Sequence, residues 1–590
     1  MTKEREESGK PLDHPAGDKA QGAAGKGSQG AKAADRRPFD GLRENLEAMI
    51  VAVVLALIIR HFSVEAFEIP TGSMAPTLYG IHAWVRCPNC DSEFNLGLQT
   101  DTSSGEFNFI RERRQVYWGA CPKCKLPHHR AYHDRDEPKA NGEVAPGDTF
   151  VCPTDGVKWN GEPSDFSTQT VIDKSLGRLT CPLCWYQFKE VLPHGWWYRT
   201  GGHKILVDKF LYKIAKPDRW DVIVFQYDRE TNYIKRLIGK PGERIELKGG
   251  DLHINGKIER KSTWPEIQEV LWTKIGDLDI PERGYQKIPA WKEVFPKTTG
   301  VPAGSWRWDG IARRWSVNAA EGGAQKISAL RYQRPIVNFY NYNLLYFVRG
   351  RMDPEVVMDS ADPQVGDKKI SFKARVARGA KGWIGAEIQD GSHAFQARIP
   401  LGKPNPAVPA AIWKMPPLKD MDSFQPDRPP LAAEAGKPWP TAAVAISPDS
   451  VVLVEFENAD DRVALRLDGV EVLSLEYDSG SEMPKGPEDN GLFILAGEGA
   501  ACDMESVRVF RDISYTEGDA RMVFGTNGRP LVLGAADQGG EDQYFACGDN
   551  SPASSDGRFW GPIPARNLMG RALLVFWPLW PTNWQFKFIR

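Results

Sequence analysis

Hydrophobic and polar positions divide this chain into stretches of different periodicity. Residues 1–41 carry almost no large apolar side chain, so they cannot offset the entropy of ordering, and the pattern predicts a disordered tail. An unbroken apolar run, AMIVAVVLALII, follows from Ala48 to Ile59. It is shorter than the roughly 20 residues that cross a bilayer. Leu42, Leu46, Phe62, Val64, Ala66 and Phe67 extend it, with Glu47 and Arg60 where long charged side chains can snorkel. The expectation is a transmembrane helix over 42–62; a buried core helix or the apolar segment of a cleavable leader are the alternatives that length leaves open. Lys3, Arg5, Lys10, Lys19, Lys26, Lys32, Arg36, Arg37 and Arg43 all precede the run. Positive charge on that side keeps the N-terminus cytoplasmic and sends everything after Arg60 across the membrane.

Beyond the run the period shortens to two. FEIPTGSMAPTL, from Phe67 to Leu78, reads as a short strand closing in a turn. Residues 219–247 read as three strands joined by two turns, and in the middle strand Tyr233, Lys235 and Leu237 share one face while Arg236 takes the other. Lys235 is therefore expected to be buried and Arg236 to be wet. From Lys368 to Val376 alternation returns, and it continues through 383–388, 394–399, 451–456, 492–495 and 506–510. Asp468-Gly469 between two apolar runs is a strong hairpin signal. These strands predict an antiparallel β-sandwich over 361–515, faintly similar to laminin-G or concanavalin-like jelly rolls. Such a module would bind carbohydrate or, more simply, dock a protein partner, because fold analogy does not carry function. Residues 257–360 follow no period, Pro404 to Pro440 is a Pro-rich loop, and the Trp-rich end LLVFWPLWPTNWQFKFIR reads as a last strand and an interfacial tail.

Composition narrows the classes. A chain of 590 residues exceeds one core and suggests about three or four folding units. With 75 basic against 77 acidic residues the net charge of −2 gives no global field for nucleic acid. The 20 Trp, 16 Tyr and 26 Phe, with 56 Gly and 44 Pro, favour strands and turns, so the chain is expected to be mainly β.

Two kinds of chemistry stand out. Cys87 and Cys90 with Cys121 and Cys124 have the spacing of a four-thiolate zinc ribbon, and Cys152, Asp155, Cys181 and Cys184 repeat it with a carboxylate in one place, where His194 or His203 are alternative ligands. A zinc-ribbon-like insertion is expected over 87–195, with structural zinc closed to substrate; disulfides are the competing reading in an oxidising compartment. Cys502 and Cys547 read as buried small residues. The second chemistry joins Ser73 to Lys235. A lysine lowered in pKa by an apolar setting can take the proton of a serine hydroxyl.

The segments around Ser73 and Lys235, followed in order by GDNSPASSDGRFWGPIPARNLMGRA from Gly548 to Ala572, resemble the boxes of bacterial type I signal peptidases. The resemblance covers about 60–80, 204–256 and 540–580. It implies a β catalytic core in three parts, 63–86, 196–256 and 516–590, divided by the insertions. It implies Ser73 as nucleophile, Lys235 as general base, and no cofactor for catalysis. Thr71 would complete the oxyanion site with the Ser73 N–H. Ser554 would orient the lysine, Asp549, Asp556 and Arg558 would brace it, and Phe67, Ile69 and Met74 would shape a pocket for small side chains. The function implied is cleavage of signal peptides from exported preproteins by a single-pass enzyme of the cytoplasmic membrane. An inactive anchored scaffold and a regulatory Ser-Lys protease are the alternatives. Ser551, Pro552 and Ala553 stand where many relatives are more charged, which leaves the local ion pairing open.

Overall fold

A computed structural model describes residues 45–54 and, with interruptions, 64–589. Outside the description lie 1–44, 55–63, all of 98–196 except short strands and 181–184, the stretches 279–289, 295–305, 320–326, 339–363, 419–427 and 578–586, and a few scattered positions. Residues 1–59 and 60–590 form separate units. In the first, residues 45–54 are helical and expose Leu46, Met49, Ile50, Val51, Val53 and Val54. The expected span over 42–62 is thus described for only half of the length a bilayer needs. No helix among the described residues is long and apolar enough to cross a membrane.

The second unit is mainly β. One mixed-origin sheet runs, in spatial order, Val64–Glu68, Lys204–Asp208, Leu568–Trp577, Val222–Gln226, Asn232–Gly239, Gln543–Cys547 and Ile563–Pro564, with Lys587–Phe588 paired to Leu568–Trp577. Strands from three distant parts of the sequence thus alternate in space. Both faces are covered. Ile69, Met74, Leu78, Ile205, Val207, Val222, Val224 and Ala572 fill one apolar cluster, while Ile223, Phe225, Leu237, Tyr544, Ala546 and Ile563 fill another. A sheet buried on both sides loses the one-face-wet rule. This is why Arg236, expected to be solvated, is fully buried instead.

A four-stranded sheet of Arg244–Lys248, Asp251–Ile254, Lys257–Ile258 and Leu531–Val532 packs beside this core, and the helix Pro265–Leu271 leads away from it. Two larger sheets then face each other across one apolar cluster built from Ile370, Phe372, Ile384, Phe395, Phe456 and Ile494 among others. They take in Trp291–Val294, Trp306–Asp309, Arg314–Asn318 and Ile327–Tyr332, so the sandwich draws strands from 257–360, where the sequence shows no period. Asp468 and Gly469, at φ of 50° and 78°, make the two-residue turn between Arg462–Leu467 and Val470–Glu476.

Candidate active site

The strand Val64–Glu68 lies at the sheet edge, antiparallel to Lys204–Asp208 with Phe67 opposite Ile205. Past it the chain turns. Ala75 N donates to Gly72 O at 3.0 Å and Leu78 N to Met74 O at 2.8 Å, which holds Ser73 half-buried at the start of the turn. The third box grips the same turn: Asn550 N donates to Ser73 O at 3.0 Å and Asn550 Nδ2 to Gly72 O at 2.8 Å. The returning chain passes very close. A Cβ on Gly202 would stand 1.7 Å from Ile69 O, and one on Gly80 would stand 2.4 Å from the Thr71 carbonyl carbon.

Lys235 reaches this turn from Asn232–Gly239, a strand in the interior of the same sheet. Its Nζ donates to Ser73 Oγ at 2.9 Å and to Ile234 O at 2.9 Å, with the residue 4% exposed. Burial lowers the Lys235 amine to about 8, against the upward pull of Asp556, Cys547 and Asp549. The amine is therefore substantially neutral at mildly alkaline pH, and it faces a hydroxyl at proton-transfer distance.

Two buried ion pairs stand behind the dyad. Arg236 Nε and Nη2 bind the two oxygens of Asp549 at 2.8 and 2.7 Å, and Thr77 Oγ1 donates to Asp549 at 2.5 Å. Arg558 clasps Asp556 in the same bidentate way at 2.8 and 2.7 Å, and Gly548 N donates to Asp556 at 2.9 Å. Burial alone would push Asp556 up; the Arg558 charge and its hydrogen bonds hold the carboxyl below its ordinary value. Arg558 also binds Ser551 and Thr516. Ser551 thus satisfies a guanidinium in the stretch where the sequence left the pairing open. Arg236, Thr77, Asn550, Ser551 and Thr516 escaped the sequence reading. The signal for Arg236 was present: a buried Asp549 needs a cation, and Arg236 is the immediate neighbour of Lys235.

The remaining expected residues fall out unevenly. Ser554 is buried beside Gly548 and the Ser73 carbonyl, and the hydrogen bonds of the lysine amine go to Ser73 Oγ and the Ile234 carbonyl. Met74 is wholly buried in the core beside Leu78 and Val222, so it supports the turn from below and offers substrate no surface. Ile69 is buried, Phe67 half-buried and Thr71 exposed. The thiols group differently from the expectation: Cys87 and Cys90 meet Cys181 and Cys184, because the first and last knuckles close the same end of the insertion. Cys121, Cys124, Cys152, Asp155 and His194 lie outside the described residues, and His203 packs against Tyr79 and His82 beside the Ser73 turn and joins no thiol group among the described residues. Asp251, Asp367 and Asp460 also gather within 4.8 Å, and the Lys261 ammonium pairs with Asp460 of that group.

Residues 200–305 and 531–577 match the family model described as signal peptidase, peptidase S26. These segments contain Lys235, Asp549, Ser554, Asp556 and Arg558. Signal peptidase I of Bacillus caldolyticus is 35% identical over 91 residues, covering 15% of this chain and 50% of that protein. Signal peptidase IB of Staphylococcus aureus strain Mu50 is 30% identical over 105 residues, covering 18% and 52%. The chain spans about half the length of the curated relatives it matches. A carbohydrate binding module, CBM66 from Bacillus subtilis, aligns over 38% of this chain and 95% of its own at 11% identity, with a TM-score of 0.21, too low to bear on the fold. The segments that build the lysine strand and the braces behind it are thus the part of this chain that is similar to type I signal peptidases.

Proposed function

We propose that this protein is a membrane-associated serine endopeptidase that removes signal peptides from exported preproteins, cutting after small side chains through a Ser-Lys dyad. The observation that carries the reading is the 2.9 Å approach of the buried Lys235 amine to Ser73 Oγ. Neutral Lys235 takes the hydroxyl proton as Ser73 Oγ attacks the scissile carbonyl. The tetrahedral oxyanion is received by the Ser73 N–H and the Thr71 hydroxyl. The protonated amine then gives its proton to the leaving nitrogen, leaving an acyl-enzyme on Ser73. Water, deprotonated by the same amine, attacks the acyl carbon, and the amine returns that proton to Ser73 Oγ as the product leaves. No metal takes part in these steps. Arg236–Asp549 and Arg558–Asp556 fix the strand and turn that carry the two reacting groups, and a catalytically dead scaffold has no use for a neutral amine in that position.

The apolar side chains exposed along 45–54, with the apolar sequence that continues to Ile59, support membrane association with the N-terminus cytoplasmic and the catalytic unit across the membrane. The test is processing of a preprotein with Ala at the two small-residue positions before the cut by the detergent-solubilised full chain. Ser73→Ala and Lys235→Ala are each expected to abolish cleavage; retention of cleavage by both variants would overturn the assignment.

A further inference from the structure

The geometry points to a single buried zinc site made by Cys87, Cys90, Cys181 and Cys184, which staples the two ends of the insertion together at the far end of the strand that follows the Ser73 turn. The four Sγ atoms lie within 4.8 Å of one another, and all four residues are buried. Cys87 Sγ and Cys184 Sγ are 3.6 Å apart, as are Cys90 Sγ and Cys181 Sγ. Four sulfurs at about 2.3 Å from a tetrahedral zinc stand about 3.7 to 3.8 Å from each other. A disulfide requires about 2.05 Å, so the group is spaced for an ion and not for two cross-links. Thiolates are the soft ligands that select zinc over magnesium or calcium.

The surroundings suit the charge. Zinc with four thiolates carries two net negative charges, and a buried cation lies alongside: Arg334 donates to the carbonyls of Leu183 and Cys184 within the second knuckle. Arg334 belongs to the segment just after the strand Ile327–Tyr332 of the sandwich, so one side chain joins the knuckle to that sheet. On the other knuckle Ser92 Oγ lies 3.0 Å from Cys90 Sγ, where its hydroxyl donates to the thiolate, and the Ser92 carbonyl accepts from Cys87 N at 2.8 Å. These contacts orient the ligands from outside the coordination sphere.

Position gives the site its role. His82–Arg86 ends one residue before Cys87, pairs with both Glu93–Gly97 and Trp197–Thr200, and begins four residues after Leu78 of the nucleophile turn. Trp197–Thr200 leads through Gly202 and His203 into the strand beside the nucleophile strand, and His203 bonds Ile69 and Tyr79 through its backbone at 2.9 Å each. A metal that joins residues 87–90 to 181–184 therefore fixes both chains that clamp the Ser73 turn. With all four positions taken by protein, the ion has no vacancy for substrate and acts by positioning. The inference is independent of the proteolytic reading.

The test is zinc content of the full chain, solubilised in detergent and purified under reductant, for wild type, Cys87→Ser, Cys184→Ser and the double variant. A shared site predicts that each single variant loses one zinc per chain and that the double variant loses no more than either. A loss of two in the double variant would mean that the knuckles serve separate ions and would overturn the inference, as would iron in place of zinc or a wild-type protein with no metal. If the variants fail to fold, alkylation of wild type before and after chelation decides: Cys87, Cys90, Cys181 and Cys184 should become reactive together. Exposure of Cys87 and Cys90 with Cys121 and Cys124, while Cys181 and Cys184 stay protected, would overturn it too.

Discussion

At the scale of single residues, the site depends on which charges are taken out of water and how each is compensated. Lys235 has no carboxylate bonded to its amine; its contacts are one hydroxyl and one carbonyl, so desolvation dominates and its proton is held loosely. Since the neutral amine is the reactive form, cleavage is expected to rise as pH increases through about 8, and a pH–rate profile of kcat/KM checks it. A profile whose rising limb lies near pH 5 would assign the base elsewhere. Arg236, one position along, meets the opposite treatment: it is paired twice with Asp549 and fully buried. Removing one partner strands the other charge, so Arg236→Met is expected to cost about 3–5 kcal/mol in denaturant unfolding, with much of it recovered in Arg236→Met/Asp549→Leu. Ser73 and Lys235, which the structure brings within 2.9 Å, were singled out by the order of three sequence segments and not by either residue alone. Arg236 was misread because alternation tells which face a side chain takes, not whether a second layer covers that face.

At the scale of elements, legibility followed how local the determining interactions are. The Asp468-Gly469 hairpin is written in two adjacent residues that accept positive φ. The strand Lys368–Val376 is written in its own alternation, Ile370, Phe372, Ala374 and Val376 all facing one core. Trp306–Asp309 and Arg314–Asn318, by contrast, are short strands that pair with each other and join the sheet only through Ala501–Arg511, which lies beside Arg314–Asn318 from far along the chain, and nothing in their own pattern announces it. The nucleophile turn is intermediate. Its strand is readable, but its tight packing against the chain at Gly80 and Gly202 becomes visible only in three dimensions. Gly202→Ala would drive a methyl group into Ile69 O, displace the strand end that precedes Ser73, and lower kcat/KM by on the order of 100-fold while circular dichroism stays near wild type. Unchanged activity would show that the strand end tolerates the shift.

At the scale of the whole second unit, the catalytic core and the sandwich meet through charge. Lys261, just past the four-stranded sheet, is buried with its ammonium on Asp460 of the sandwich and 3.2 Å from Asp512, and Asp251 and Asp367 complete an acidic surround. Burial, and then mutual repulsion, push Asp251 and Asp367 well above the ordinary 3.8, and burial raises Asp512 to about 6. The folded state therefore holds protons that the unfolded chain releases. Their contribution to stability is complete below 3.8 and is lost as pH rises through the raised values, about 6 for Asp512. Lys261 is what keeps the junction intact above that window, because its charge offsets the carboxylates once they ionise. Lys261→Met is accordingly expected to destabilise the junction by about 3–5 kcal/mol near pH 8 and by much less near pH 5, where protonation removes the repulsion without the cation. Denaturant unfolding at the two pH values, with proteolytic mapping of which segment opens first, measures this. A loss of equal size at both would mean that Lys261 holds the sandwich to the core by packing its stem, and that the carboxylates carry no net charge in the fold.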